Sequence, residues 1–392
     1  MGSGRDRGLG LTLGGMLGLL VAAPCPALST TTPISGPGYV CQAAPTTAAA
    51  LEKLPDPPVS VAEHMTATPA TDGLTPPCPE GQVPYPTATP GTYTDYRPEK
   101  SLPSDGGVAI PPPAGGAHAA REKRRRTSKR RRGRAHIARE LKYGSYYSHA
   151  GAEQRPPKGN VSQVWDDQTN QDPAVYFHEK PGSHSLSQLW AVEEPNGESN
   201  KDSTVEEGWT EAPLSPYNDV SPHLFVAISD CGVYPGSGGY VGIPGSTVPW
   251  VQTSTTVYPN MAVTHDDYVH GYGVMRDSSN NWHFYYDGQW FGYVPHSAWT
   301  CRFPKNVNLI QFGGEVATPT SEYATCDDMG NGTYGPNAAE HEYTYWINEY
   351  FGEPGDFNGY PTLESDPQYT QGYWQGEGGD TWGFRYGGTG WC

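Results

Sequence analysis

DYVHGYGVMRDSSNNWHFYYDGQWFGYVP, residues 267–295, decides the fold. Three runs rich in Tyr, Trp, Phe and Val are separated by Asp277–Asn281 and by Asp287-Gly288. Aromatic and β-branched residues suit a pleated, half-buried surface, and Asp-Gly between two such runs marks a tight hairpin. The stretch therefore predicts consecutive antiparallel strands. Similar runs lie around it: HSLSQLWAV (184–192), HLFVAIS (223–229) and NLIQFGGEV (308–316). Short strands bounded by turn residues, with few helix signals, predict an all-β fold, an antiparallel β-sandwich of two packed sheets. Residues 339–351, AEHEYTYWINEYF, read equally as strand or helix, and the Gly- and aromatic-rich tail from Gly352 ends in WGFRYGGTGWC.

Composition divides the chain. Of 392 residues, 35% are hydrophobic, with 49 Gly and 39 Pro, which fits one domain plus long irregular stretches rather than a wholly globular protein. All 11 Trp lie at or after Trp165. Residues 1–150 carry 17 Lys/Arg against 11 Asp/Glu, whereas residues 151–392 carry 8 against 31. An acidic folded domain of this kind repels nucleic acid and anionic membranes, and suits an acidic working environment.

Residues 1–29 read as a secretory signal: Arg5 and Arg7, an apolar run from Leu9 to Ala23, then Ala27-Leu28-Ser29. Pro24 disfavours a lipoprotein reading through Cys25. Residues 30–150 form a Pro/Ala/Thr-rich pro-segment or linker, whose 30–120 portion cannot bury enough apolar surface to offset chain entropy. The basic run REKRRRTSKRRRGR (121–134) would be an ordinary nuclear or nucleic-acid signal inside a cell; behind an export signal it reads as a solvated linker or a processing site. Residues 159–392 are the expected β-sandwich domain. The chain is thus expected to be secreted and extracellular, with no nucleic-acid partner, no membrane association once the signal is removed, and a monomeric state. Its Cys suggest disulfides, with Cys231, Cys301, Cys326 and Cys392 as candidates in the acidic domain and Cys41 and Cys78 further upstream. Cys301 and Cys326 flank FGGEV and could brace it. No CxxC spacing points to a metal.

Two glutamates stand out, in VEEGW (205–209) and FGGEV (312–316). Strand alternation puts Leu309, Gln311, Gly313 and Glu315 on one face and Ile310, Phe312, Gly314 and Val316 on a core face. The first face resembles the floor of a cleft, although a solvent-facing Glu is the plainer reading of such a pattern. In the other string, Glu206 shares a face with Thr204 and Gly208, and Glu207 falls between Val205 and Trp209. A buried unpaired Glu is costly, so a bulged strand or an edge position is expected for Glu207, and pattern alone does not choose between the two acids. His265, Asp266, His270 and His283 lie near strands, but no G-x-S-x-G elbow or HExxH motif accompanies them.

In order along 184–392, these segments resemble the neprosin family of glutamic prolyl endopeptidases. SQLWAV (187–192) is similar to the family's QIW strand, VEEGW to I-E-A-G-W, and residues 266–299 to a run ending V-G-Y-W-P-x-S-L-F. LIQFGGEV is similar to I-E-W-G-G-E-V, and MGNG (329–332) and WGFRYGG (382–388) follow. The resemblance implies Glu206 and Glu315 as a catalytic pair, no cofactor and no metal, activity at acid pH, a pro-segment removed on activation, and cleavage after proline in peptide or protein substrates rich in proline. Gln311, Gly313 and nearby N–H groups are candidates for oxyanion stabilisation, and Trp290 and Tyr293 for packing a proline ring. Glu207 departs from the family pattern, as does Phe312, and the upstream partner expected for Cys392 is missing. Two other classes compete: a secreted glycoside hydrolase with two glutamates, and a non-catalytic β-sandwich binding module.

Overall fold

A computed structural model describes residues 39–43, 54, 78, 80–86, 146–156, 160–169, 184–195, 201–211, 221–236, 238–243, 245–263, 269–318, 328–332, 339–348, 354–356, 360–364, 370–375 and 382–388. The chain divides into two compact units, Met1–Thr30 and Thr31–Cys392. Every described residue belongs to the second. The expected signal segment and the basic run 121–134 lie outside the described residues, as do His265, Asp266, Cys326 and Cys392.

The strands are, in order, β1 (Tyr39–Ala43), β2 (Gln82–Pro86), β3 (Tyr146–Gln154), β4 (Val161–Thr169), β5 (His184–Glu193) and β6 (Ser203–Glu211). Then come β7 (His223–Ser229), β8 (Val251–Gln252), β9 (Val269–Arg276), β10 (Trp282–Tyr286), β11 (Gln289–Val294) and β12 (Leu309–Thr318). β13 (Ala339–Asn348), β14 (Pro354–Asp356), β15 (Tyr360–Glu364), β16 (Thr370–Gln375) and β17 (Trp382–Gly387) complete the set. The ambiguous segment 339–351 is thus a strand over Ala339–Asn348.

Two antiparallel sheets make the sandwich. The larger runs β16-β17-β13-β4-β9-β10-β11-β8, with β14 paired to β13; the smaller runs β15-β3-β12-β5-β6-β7. The 267–295 stretch behaves as its sequence predicts, with β9, β10 and β11 paired antiparallel in succession. Asp287 and Gly288 both take positive φ, 39° and 88°, as a two-residue turn that follows strand twist requires. The Asp287 carboxylate tightens this turn by accepting from the Gly271 N–H at 2.8 Å.

Between the sheets lies one core, to which alternate residues of both contribute. The smaller sheet supplies Leu189, Ala191, Val205, Trp209, Val226, Ile228, Ile310, Phe312 and Val316; the larger supplies Val164, Tyr272, Val274, Trp282, Phe284, Tyr286 and Phe291. Ile310, Phe312 and Val316 therefore face inward, as alternation along β12 predicts.

Three expectations need correction. The sandwich starts earlier than residue 159: β3 is an interior strand of the smaller sheet, between β12 and β15. Its sequence, YYSHAGAEQ, is small and polar, and only Ala150 and Ala152 mark its core face. The expected looseness of residues 30–120 is interrupted by a ribbon of β1 and β2, with a disulfide between Cys41 and Cys78. Finally, Cys301 pairs with Cys231, not Cys326. The Asp230 carboxylate explains that juxtaposition, since it accepts from the N–H groups of Thr300, Cys301 and Arg302 and so draws the two segments together.

Candidate active site

Glu206 and Glu315 occupy the same face of the smaller sheet, the one turned away from the core, and both are fully buried. Register sets their relation. Glu206 on β6 lies opposite Trp190 of β5, and Trp190 lies opposite Gln311 of β12. Glu315 on β12 lies opposite Leu186, four residues back along β5. The two acids therefore sit diagonally across β5, with Gln188 on the row between them. Flanking Gln188 in that row are Gly208 on β6 and Gly313 on β12, and Gly313 is followed by Gly151 on β3. Three glycines and one glutamine thus make a bare strip across four strands, between the two glutamate rows.

Backbone geometry demands those glycines. A Cβ on Gly208 would stand 1.9 Å from the Ser187 carbonyl oxygen, and one on Gly313 would stand 2.6 Å from that of Ala150. Neighbouring strands approach too closely here for any side chain.

Each glutamate has its own partners. Glu206 Oε1 accepts from Thr204 Oγ1 at 2.5 Å and from the Tyr234 hydroxyl at 3.2 Å. Thr204 is fixed in turn by accepting from the Ser229 N–H at 3.0 Å. Glu206 Oε2 is buried and meets no donor or acceptor. Burial raises this carboxyl from 4.5 to about 8; the bonds from Thr204 and Tyr234 pull downward, and the charge of Glu315 pushes up again. Glu315 Oε1 lies 2.7 Å from His184 Nε2, whose N–H donates when the carboxyl is ionised. Burial thus favours the neutral form of Glu206, and Glu315 is the carboxyl with a ring nitrogen in hydrogen-bond reach.

Other expected site residues fare differently. Gln311 shares the glutamate face, but its Nε2 donates to Glu153 Oε2 at 3.3 Å, toward the edge of the site. Gly313 lies in the bare strip. Trp290 and Tyr293 are not brought to the carboxyls. They belong to the larger sheet, where Phe284 points into the core and its neighbours point out. Trp290 packs against Tyr285 and Trp165, with ring centres 5.3 and 5.5 Å apart, and Tyr293 against His283 at 4.9 Å. Alternation places this aromatic group on the outer face of the other layer, with the core between it and the glutamates.

Glu207 is neither bulged nor at an edge. The ladders of β6 with β5 and β7 run without a break through it. Its carboxyl enters the core, where Oε2 accepts from the Gly273 N–H at 3.1 Å. Burial holds it well above 4.5; the Gly273 bond lowers it and nearby Asp166 raises it further. His270 and His283, both buried, bond to Asp287 at 2.5 Å and Asp277 at 2.9 Å, where they secure turns. Thr204, Tyr234 and His184 were not singled out from sequence. The i, i+2 spacing of Thr204 to Glu206, and the phase of His184 with Leu186, Gln188 and Trp190, were the available signals. Tyr234 carried none.

Among solved structures, scytalido-glutamic peptidase with a peptide-based transition-state analogue is 9% identical, with a TM-score of 0.35, over 62% of this chain and 99% of that one. SCP-B, an eqolisin-family peptidase bound to the tripeptide Ala-Ile-His, gives the same figures: 9%, 0.35, 62% and 99%. A β-porphyranase from the human gut bacterium Bacteroides plebeius is 11% identical, with a TM-score of 0.20, over 41% of this chain and 53% of that one. No curated protein matches in sequence. The Neprosin family model matches residues 181–389, from just ahead of β5 through β17 and across both glutamate strands, and the chain belongs to the neprosin family.

Proposed function

We propose that this chain is a glutamic endopeptidase in which Glu206 is the acid and Glu315 the base. The observation that carries the reading is the asymmetry of the pair: two buried carboxyls on one sheet face, one kept neutral by burial, the other beside an imidazole. Family membership supports the same class.

Water beside Glu315 loses a proton to it and attacks the scissile carbonyl carbon. Glu206 donates a hydrogen bond, then its proton, to the carbonyl oxygen. As the tetrahedral intermediate collapses, the C–N bond breaks, the amine takes the proton held on Glu315, and Glu206 recovers its own. No cofactor is required. The pair titrates as a unit, so a bell-shaped rate profile is expected, with its basic limb set by loss of the Glu206 proton.

Peptide and protein substrates, with cleavage after proline at acidic pH, are the finer proposal, together with secretion as a monomeric zymogen. Two disulfides suit an oxidising compartment. No helix among the described residues is long and apolar enough to cross a membrane.

The test is to express residues 30–392, acidify, and follow self-processing and cleavage of proline-containing peptides, with casein and a glucan as alternative substrates. Glu315→Gln should lower peptide turnover by about 10³-fold. Turnover by Glu315→Gln at the wild-type rate rejects the pair, and hydrolysis of the glucan alone replaces the peptidase reading with a glycosidase.

A further inference from the structure

Gln188, at the middle of β5, is fully buried, yet neither its Oε1 nor its Nε2 has a hydrogen-bond partner. Buried polar groups are nearly always paired, and an orphaned amide costs stability unless something outside the chain completes it. No step of the glutamate mechanism uses it.

Its position tells what it could complete. Gln188 shares a face with Glu206 and Glu315 and lies on the row between theirs. At about 3.3 Å per residue, each glutamate row is about 7 Å from it along the strand. The two neighbours in its own row, Gly208 and Gly313, have no side chains and can acquire none without striking backbone. The amide therefore stands alone on the bare strip, with the acid on one side and the base on the other. A primary amide offers both a donor and an acceptor, the pair that a peptide group's C=O and N–H require.

We propose that Gln188 is a catalytic residue whose Nε2–H donates to the scissile carbonyl oxygen as it gains charge, while its Oε1 accepts from a substrate backbone N–H. The proposal rests on the peptidase reading above. No proton is transferred through the amide: Glu315 moves the water proton to the leaving amine, Glu206 lends its proton to the carbonyl oxygen, and Gln188 donates to that oxygen while its charge builds and again as Glu206 recovers the proton. A neutral donor suits this place, because it adds no charge between two carboxyls and its dipole is already fixed before the reaction.

Steady-state kinetics on a proline-containing peptide at acid pH, with thermal unfolding in parallel, test the idea in wild type, Gln188→Leu, Gln188→Met and Glu315→Gln. Gln188→Leu should lower kcat by about 10²-fold, the cost of removing one oxyanion donor. KM should rise by no more than about tenfold, the loss of one neutral hydrogen bond to the substrate N–H. Its Tm should be unchanged or higher, since an unpaired buried amide has been replaced by an apolar group of similar size; a residue with only a structural role would lose Tm and activity together. Gln188→Met serves the same purpose if the Leu variant does not fold, and failure of both to fold makes the amide structural and overturns the proposal. A kcat within about threefold of wild type overturns it as well. If Glu315→Gln is dead while Gln188→Leu is fully active, only the Gln188 assignment falls. If Glu315→Gln cleaves as wild type does, the peptidase reading falls and takes this one with it.

Discussion

Glu206 and Glu207 are chain neighbours with the same side chain and the same complete burial, and burial lifts both above the ordinary carboxyl range. Their surroundings differ because a strand sends successive side chains to opposite faces. Glu206 meets two hydroxyl donors and feels the charge of Glu315, while each acid keeps one buried oxygen without a partner. Glu207 meets a single backbone N–H amid Val205, Trp209 and Tyr272. One is an acid on the outer face, held by hydroxyls and within the field of another acid; the other is an acid enclosed in the core. Burial alone does not distinguish them, and partners do.

Paired substitutions give the sharpest way to break that contrast. Glu206→Gln should lower peptide turnover by about 10³-fold, whereas Glu207→Gln should leave it within about threefold. Equal losses would place Glu207 in the chemistry and end the comparison.

Both glutamines should also change how stability depends on pH. The folded chain keeps a proton on each carboxyl above pH 4.5, where the unfolded chain has lost it, so folded stability falls as pH rises from 4.5. For Glu206 the fall ends near pH 8, its folded value. The slope is about 1.4 kcal/mol per pH unit for each such group. Denaturant midpoints at pH 4 and pH 7.5 should therefore drop in the wild type and drop less in Glu207→Gln. An identical drop in both would show that Glu207 ionises freely in the fold.

Gly208→Ala, on the Glu206 face of the same strand, should cost about 3 kcal/mol, at the upper end for overpacking, because the obstruction is backbone. Chemical denaturation measures it, and a neutral effect would mean the strands can part.

Tyr234→Phe is the mildest intervention. It removes one donor to Glu206 Oε1, a bond worth about 1 kcal/mol. The charged form of Glu206 loses support, so the basic limb of the rate profile should move to higher pH by less than about one unit. A shift to lower pH would contradict the bonding described.

Much of the fold was legible in the sequence. Asp287-Gly288, the aromatic runs of β9–β11 and the alternation along β12 were local signals that local physics could decode. β3 was not legible, because AGA in its middle carries little hydrophobic signal and earns its place only through β12. The pairing of Cys231 with Cys301 depends on Asp230 reaching across 70 residues, and spacing could not disclose that. Within the site, the faces of Glu206, Gln311 and Glu315 followed from period two. Which sheet held Trp290 and Tyr293, and how Glu207 could remain neutral inside an unbroken strand, depended on layer assignment and on a partner in β9. Those are long-range facts that no window of sequence contains.

The bare strip on the smaller sheet also limits how this chain can be altered. At Gly208 and Gly313 the obstacle to any added bulk is the main chain of the next strand, and no choice of side chain removes it. Retargeting must therefore come from residues outside the strip, on the glutamate rows or in the loops. A library that randomises Gly208 and Gly313 would return mostly unfolded protein, whatever side chains it offered.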